Sequence, residues 1–397
     1  MKTKLMGCLF VGLAFSLTLA ISARQGAKPI ELIGTPISLP GDDTQVQEDL
    51  LRNSSGVRAP VNLIGVIAVP GGVGALDILW VDQARGRMYL PDRGNGVVDI
   101  FDAVNDAFLD RIPGFVGATG FGGLRGGPNG LVVTPDNILW AGDGNSLLQA
   151  VDLNLSPPRI THTITVGTPQ DGRADEIAYD PFERIVLIAN DVSKPPRVTF
   201  VSADTYSVLS KIDFPDAEGM EQPVWDTQLH RFLITVPASP AYVAVIDPIK
   251  RRVTKKYIIP NCSGGVNGLT LGPFQRLLVS ACTNAYIMNA IDGHIISFIT
   301  QVGGGDEVWF NAGDDHYYVT SADRTAGLGQ VLGVIDAETS TWLQNVRAPN
   351  IRNVAAFEGN NHIFSGVSAP AAGVPDTTVC SRFGLVGTGC VAVFSHF

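Results

Sequence analysis

Residues 86–114 read GRMYLPDRGNGVVDIFDAVNDAFLDRIPG. Three short apolar runs alternate with Asp, Gly and Asn turns, the pattern of antiparallel strands joined by tight hairpins. A fourth run, ALDILWVD (75–82), precedes them, and the same four-run unit then recurs along the chain. Its opening residues are Asp77 in ALDILWVD, Asn129 in PNGLVVTPD, Glu176 in ADEIAYDP and Glu221 in MEQPVWDT. The series continues with Asn267 in VNGLTLGP, Asp306 in GDEVWFNAGD and Asn353 in IRNVAAFEGN, at spacings of 52, 47, 45, 46, 39 and 47 residues. Four short strands in ~40–50 residues are the signature of one propeller blade. No window keeps an apolar period of 3.6 for three turns, so alternating strands and helices are excluded. The seventh unit stops after its third strand, GCVAVFSHF, and the missing fourth stands at the front as NLIGVIAVPG (62–71). An all-β, seven-bladed β-propeller of four-stranded antiparallel blades follows, its ring closed by that N-terminal strand in blade seven.

GRMYLPDRGNGVVDIFDAVNDAFLDRIPG resembles a YVTN-type propeller repeat. GGPNGLVVTPDNILWAGDGNS and VNGLTLGPFQRLLVSACTN are similar to the NGL strand openings of the senescence-marker/gluconolactonase propellers. That family has six blades, and the resemblance implies a divalent metal held by Glu, Asn and Asp at the channel mouth. On this chain the matching positions are Asn129, Glu176, Glu221, Asn267 and Asp306, with Asp306, Glu307 and Glu176 as candidate catalytic acids.

Composition sets the outer bounds. The 397 residues are 45% hydrophobic and 17% charged, so the chain can build a large core and is not intrinsically disordered. Gly (44) and Pro (25) are too abundant for a helical bundle. With 28 basic against 38 acidic residues and a net charge of −10, neither a nucleic-acid groove nor adhesion to an anionic membrane is expected. Lys2 and Lys4 followed by the apolar run 5–21 read as a secretory signal peptide ending near Ala23. Residues 24–58 read as a flexible extension, carrying a formal sequon at Asn53, and 59–397 as a single propeller domain. Export, to the exterior or a periplasm, would give Cys262, Cys282, Cys380 and Cys390 an oxidising compartment. Proximity favours pairing Cys262 with Cys282 and Cys380 with Cys390.

Propeller topology sorts side chains onto two faces. The openings Asp77, Asn129, Asp175, Glu176, Glu221, Asn267, Asp306, Glu307 and Asn353 converge on one channel mouth. The ends of the second strands add Asp92, Arg93, Asp143, Asp191, Asp323 and Arg324 to that face. Gathered carboxylates and amides suit calcium or another divalent cation, while Asn and Asp before a strand also cap turns, so both roles stay open. The turn residues Asp102, Asp152, Asp204, Asp247, Asp292 and Asp336 lie on the opposite face and read as structural. His230, His316 and His362 fall in first-to-second hairpins, His294 in a third-to-fourth hairpin, His162 in a strand and His396 beside the C-terminus. All read as turn or surface groups. Trp80, Trp140, Trp225 and Trp309 read as packing between blades, and the Gly-rich run 120–130 as a loop. The long segment 368–388 could lid the acidic mouth.

Two functions fit. The first is a monomeric binding platform for a small molecule, glycan or protein partner, contacted through Asp77, Arg93, Asn129, Asp191, Asn353 and Arg324. The alternative is a divalent-metal-dependent lactone or ester hydrolase of gluconolactonase type at the same mouth. No motif for nucleotide, flavin, haem or quinone is present.

Overall fold

The computed structural model describes residues 60–118 and 125–396. The signal peptide, the extension to residue 59, the sequon and the first part, 120–124, of the Gly-rich run 120–130 lie outside the described residues. Seven four-stranded antiparallel sheets follow one another along the chain. In blade three the strands are Ile177–Asp180, Ile185–Asn190, Arg197–Ser202 and Ser207–Asp213, from the channel outward. Each inner strand touches the inner strands of both neighbours, and Trp80–Asp82 of blade one meets Ala355–Phe357 of blade seven. The ring is closed as expected. Blade seven runs 355–357, 362–367, 390–396 and then Val61–Ile67, so the closing strand starts one residue earlier and ends four earlier than 62–71.

Sequence pattern follows depth within a blade. The middle strands are packed on both faces by neighbouring blades, so Ile185–Asn190 and Tyr242–Asp247 are buried throughout and read as continuous apolar runs. The outer strand Ser207–Asp213 faces solvent and carries polar residues. Between the third and fourth strands every blade shows a register shift, for instance between Ile100 and Phe101 in blade one and Phe200 and Val201 in blade three. Such bulges twist the exposed edge and blunt it against pairing with another chain.

The outer hairpins explain most of the turn Asp series. Asp102, Asp152, Asp247, Asp292 and Asp336 each accept a backbone N–H two or three residues on. Asp204 departs from the series: Ser202 caps its hairpin, and Asp204 instead takes Arg184 Nε at 2.5 Å. Both disulfides form as paired, Cys262–Cys282 and Cys380–Cys390, with Cα separations of 5.7 and 5.8 Å.

Candidate functional site

The backbone just before each inner strand turns from the blade edge into the channel, and this brings the opening residues together. They line a cavity of ≈ 610 Å³ with Asp77, Asp175, Glu176, Glu221, Asp306 and Glu307 on its wall. Three guanidinium groups, Arg93, Arg173 and Arg352, share that wall. A second hollow of ≈ 510 Å³ adjoins it between blades five, six and seven and shares Asp306, Arg352 and Ser368 with it. Its lining is mostly neutral and polar: Asn267, Thr320, Ser321, Gln330 and Asn350. The mouth is therefore an acidic pit with a hydroxyl and amide shelf beside it.

The guanidinium groups occupy part of the acid ring. Arg93 is paired with Asp77 and also donates to Asn129 Oδ1, from Nε at 3.0 Å and from the terminal nitrogen at 2.6 Å. Arg173 bridges Asp175 at 2.6 Å and Asp191 at 2.9 Å. Arg352 lies 3.7 Å from Asp306, both half-exposed at the rim. What remains on the wall of the pit is a set of buried carboxylate oxygens with no donor from the protein, Asp175 Oδ1, Glu176 Oε2 and Glu307 Oε2; Asp191 Oδ1, behind Arg173, is likewise unpaired. Burial pushes Glu176 well above the usual carboxylate range, helped by the charges of Glu221, Asp175 and Glu307. Burial also raises Glu221, with Asp191 adding to it, and raises Glu307, with Asp77 adding to it. Asp175 is raised by burial although Arg173 pulls it back.

The asparagine openings have a different task. Asn129 is fully buried and donates to Gly126 O at 3.0 Å and Ala174 O at 2.8 Å, while its oxygen is taken by Arg93. Asn353 donates to the carbonyl of Asp77 and accepts from Gly366 N at 2.7 Å. Both are pegs between backbones rather than free ligands. The glycine that follows Asn129 and Asn267 has a reason too. A Cβ on Gly130 would sit 2.6 Å from Asp175 O, and one on Gly268 would sit 3.1 Å from Val308 N. Adjacent inner strands approach closely at the NGL openings, which accounts for that motif without any bound metal.

Several expected site residues stand elsewhere. Asp191 is held behind Arg173, and Asp143 accepts from Val116 N, Gly144 N and Gln149 Nε2, so both organise loops. Asp323 accepts three backbone N–H groups of its own loop, and neither it nor Arg324 lines the two hollows. Of the segment 368–388, Ser368 reaches both hollows and the remainder does not line them. Asn267 keeps its place at the shelf, with Nδ2 3.4 Å from Asp306 Oδ1. Arg173 and Arg352 were not anticipated, although Arg173 stands two residues before Asp175 in the opening RADE.

The channel continues beneath the acids into an apolar chamber of ≈ 440 Å³. Trp80, Trp225, Trp309 and Phe310 line it, and Glu176 lines both this chamber and the acidic pit above. The three tryptophans thus face the channel as well as packing between strands, with Trp80 and Trp309 edge-to-face at 5.6 Å. Trp140 alone of the four is fully buried between blades, stacked on Tyr206.

No family model matches the chain, and no curated protein matches it. Among solved structures, a chain from one titled "Crystal Structure of Mitotic Checkpoint Complex" superposes with a TM-score of 0.61 at 11% identity. The match covers 85% of this chain and 96% of that one. It shows the seven-bladed fold and leaves the chemistry of the mouth to the residues themselves.

Proposed function

We propose that the protein is an exported binding platform whose acidic mouth takes a small, donor-rich cationic ligand, an amine carried on a hydroxylated scaffold such as an amino sugar. The observation that carries this is the trio of buried carboxylate oxygens, on Asp175, Glu176 and Glu307, that no protein donor satisfies. Unpaired buried acceptors cost about 1–3 kcal/mol each, and a bound ammonium group would supply the missing donors and the compensating charge. The polar shelf of Asn267, Gln330 and Asn350 would then receive hydroxyl groups. Two disulfides support export to an oxidising compartment, and among the described residues no helix is long and apolar enough to cross a membrane.

A second reading, a divalent cation at the same mouth serving lactone or ester hydrolysis as in the gluconolactonase-type propellers, draws on the same orphan oxygens. Glu176, Glu221 and Glu307 are the groups that would hold it, supplying a Lewis acid beside carboxylates able to move a proton. The fit is incomplete, because Asn129 is occupied by Arg93. Among the described residues, the group of three His, Cys, Asp or Glu whose ligand atoms all lie within 4.8 Å of one another is at another place in the fold.

Calorimetric titration separates the readings. Glucosamine should bind more tightly at pH 7 than at pH 5, where its amine stays largely protonated, because a cation needs the carboxylates ionised and must expel the protons their raised pKa values retain. N-Acetylglucosamine, which lacks the charge, should not bind, and Glu307→Gln should weaken glucosamine. Equal binding of both sugars, or none by the amine, would overturn the first reading. Calcium-selective binding abolished by the same variant would favour the second.

A further inference from the structure

On the opposite face, at the junction of blades six and seven, three side chains far apart in sequence converge. Asp314 lies in the hairpin entering the second strand of blade six, His316 opens that strand (His316–Ala322), and His396 ends the strand Cys390–His396 of blade seven. Their ligand atoms all lie within 4.8 Å of one another. His396 Nε2 is 3.2 Å from Asp314 Oδ2, and His316 Nδ1 is 3.6 Å from Asp314 Oδ1. Two ligands at ~2.05 Å from a tetrahedral centre stand about 3.3 Å apart, so these separations already have the right scale.

The His316 nitrogen decides between a metal site and a plain hydrogen-bond network. Its residue is 3% exposed, and Nδ1 has no hydrogen-bond partner. At 3.6 Å the Asp314 carboxylate is too far to serve. A network evolved for hydrogen bonding alone would leave this buried atom unsatisfied, whereas a metal between the three groups gives it a partner. Tyr318 Oη donates to Asp314 Oδ2 at 2.6 Å, the outer contact that orients a ligating carboxylate. The side chain of His396, 17% exposed, leaves a route in from solvent.

We propose that Asp314, His316 and His396 bind a transition metal of the zinc class, with water completing the coordination. Two imidazoles and one carboxylate suit zinc and its neighbours and not calcium, so the site is distinct from the channel mouth and independent of the reading given there. Because His396 ends the strand that pairs with Val61–Ile67, the ion would clip the ring closure to blade six.

The test uses the folded full-length protein after chelator treatment. Zinc competition against a chromophoric chelator should give one equivalent bound, and cobalt should develop the visible bands of a tetrahedral site. His316→Asn and His396→Gln should each weaken zinc by more than about a hundredfold, since even outer contacts of metal sites are worth ten- to a hundredfold. Zinc should raise Tm in the wild type and in neither variant. Circular dichroism of the metal-free variants checks that they fold, and the cobalt spectrum of the wild type stands without them. Absence of stoichiometric uptake by the wild type overturns the proposal, as does uptake that survives both substitutions.

Discussion

Glu176→Gln should make the protein more stable and less able to bind. Glu176 is 4% exposed, one of its oxygens has no donor from the protein, and carboxylates of Glu221, Asp175 and Glu307 surround it. Ionising it in place is costly, and an isosteric amide removes the charge while offering its N–H groups to those neighbours. The orphan acceptor alone is worth about 1–3 kcal/mol. Over roughly 340 ordered residues the unfolding entropy is about 0.7 kcal/mol/K, so Tm should rise by roughly 1.5–4 °C. The effect has a sign in pH. A carboxyl whose folded pKa is raised contributes full stability below its free value and loses it as pH climbs through the folded value. The variant should therefore match the wild type near pH 4 and exceed it at pH 8. Urea unfolding at both values measures this, with glucosamine titration beside it. A variant less stable than wild type at pH 8, or an advantage that does not grow with pH, would refute the account of the mouth as a charge-strained ligand site.

Other perturbations test the framework. Asp99 is fully buried against Arg111 and, chiefly by burial, pushed up to about 7. Its contribution is complete below pH about 4 and gone above about 7, so Asp99→Asn should gain on the wild type across that window by up to about 4 kcal/mol, read by urea unfolding. Gly130→Ala drives a methyl to 2.6 Å from Asp175 O and should cost about 1–3 kcal/mol in the same assay; a loss under ~0.5 kcal/mol would sink the close-approach explanation of the NGL opening. Replacing Cys380 and Cys390 together by Ser opens a loop of separation 10, a loss of about 2.7 kcal/mol on chain-entropy grounds. Because Ser368 is the part of that segment reaching the mouth, glucosamine affinity should stay within about twofold.

The number of blades, the closing strand, the disulfide pairs and the face on which the acids gather were all legible in the residues. They depend on turn chemistry, apolar period and strand count, which are local or follow from topology. Which opening residue meets a ligand was not legible. Asn129 and Asp175 occupy equivalent places in the repeat, yet Asn129 pegs two backbones and Asp175 presents an unpaired oxygen. Arg93 and Arg173 decide which acids are neutralised, through contacts that reach the next blade. His316 and His396 stand 80 residues apart, and their approach exists because ring closure lays the last strand against blade six. Pairings of that kind are set by packing between blades, where no periodicity in the chain records them.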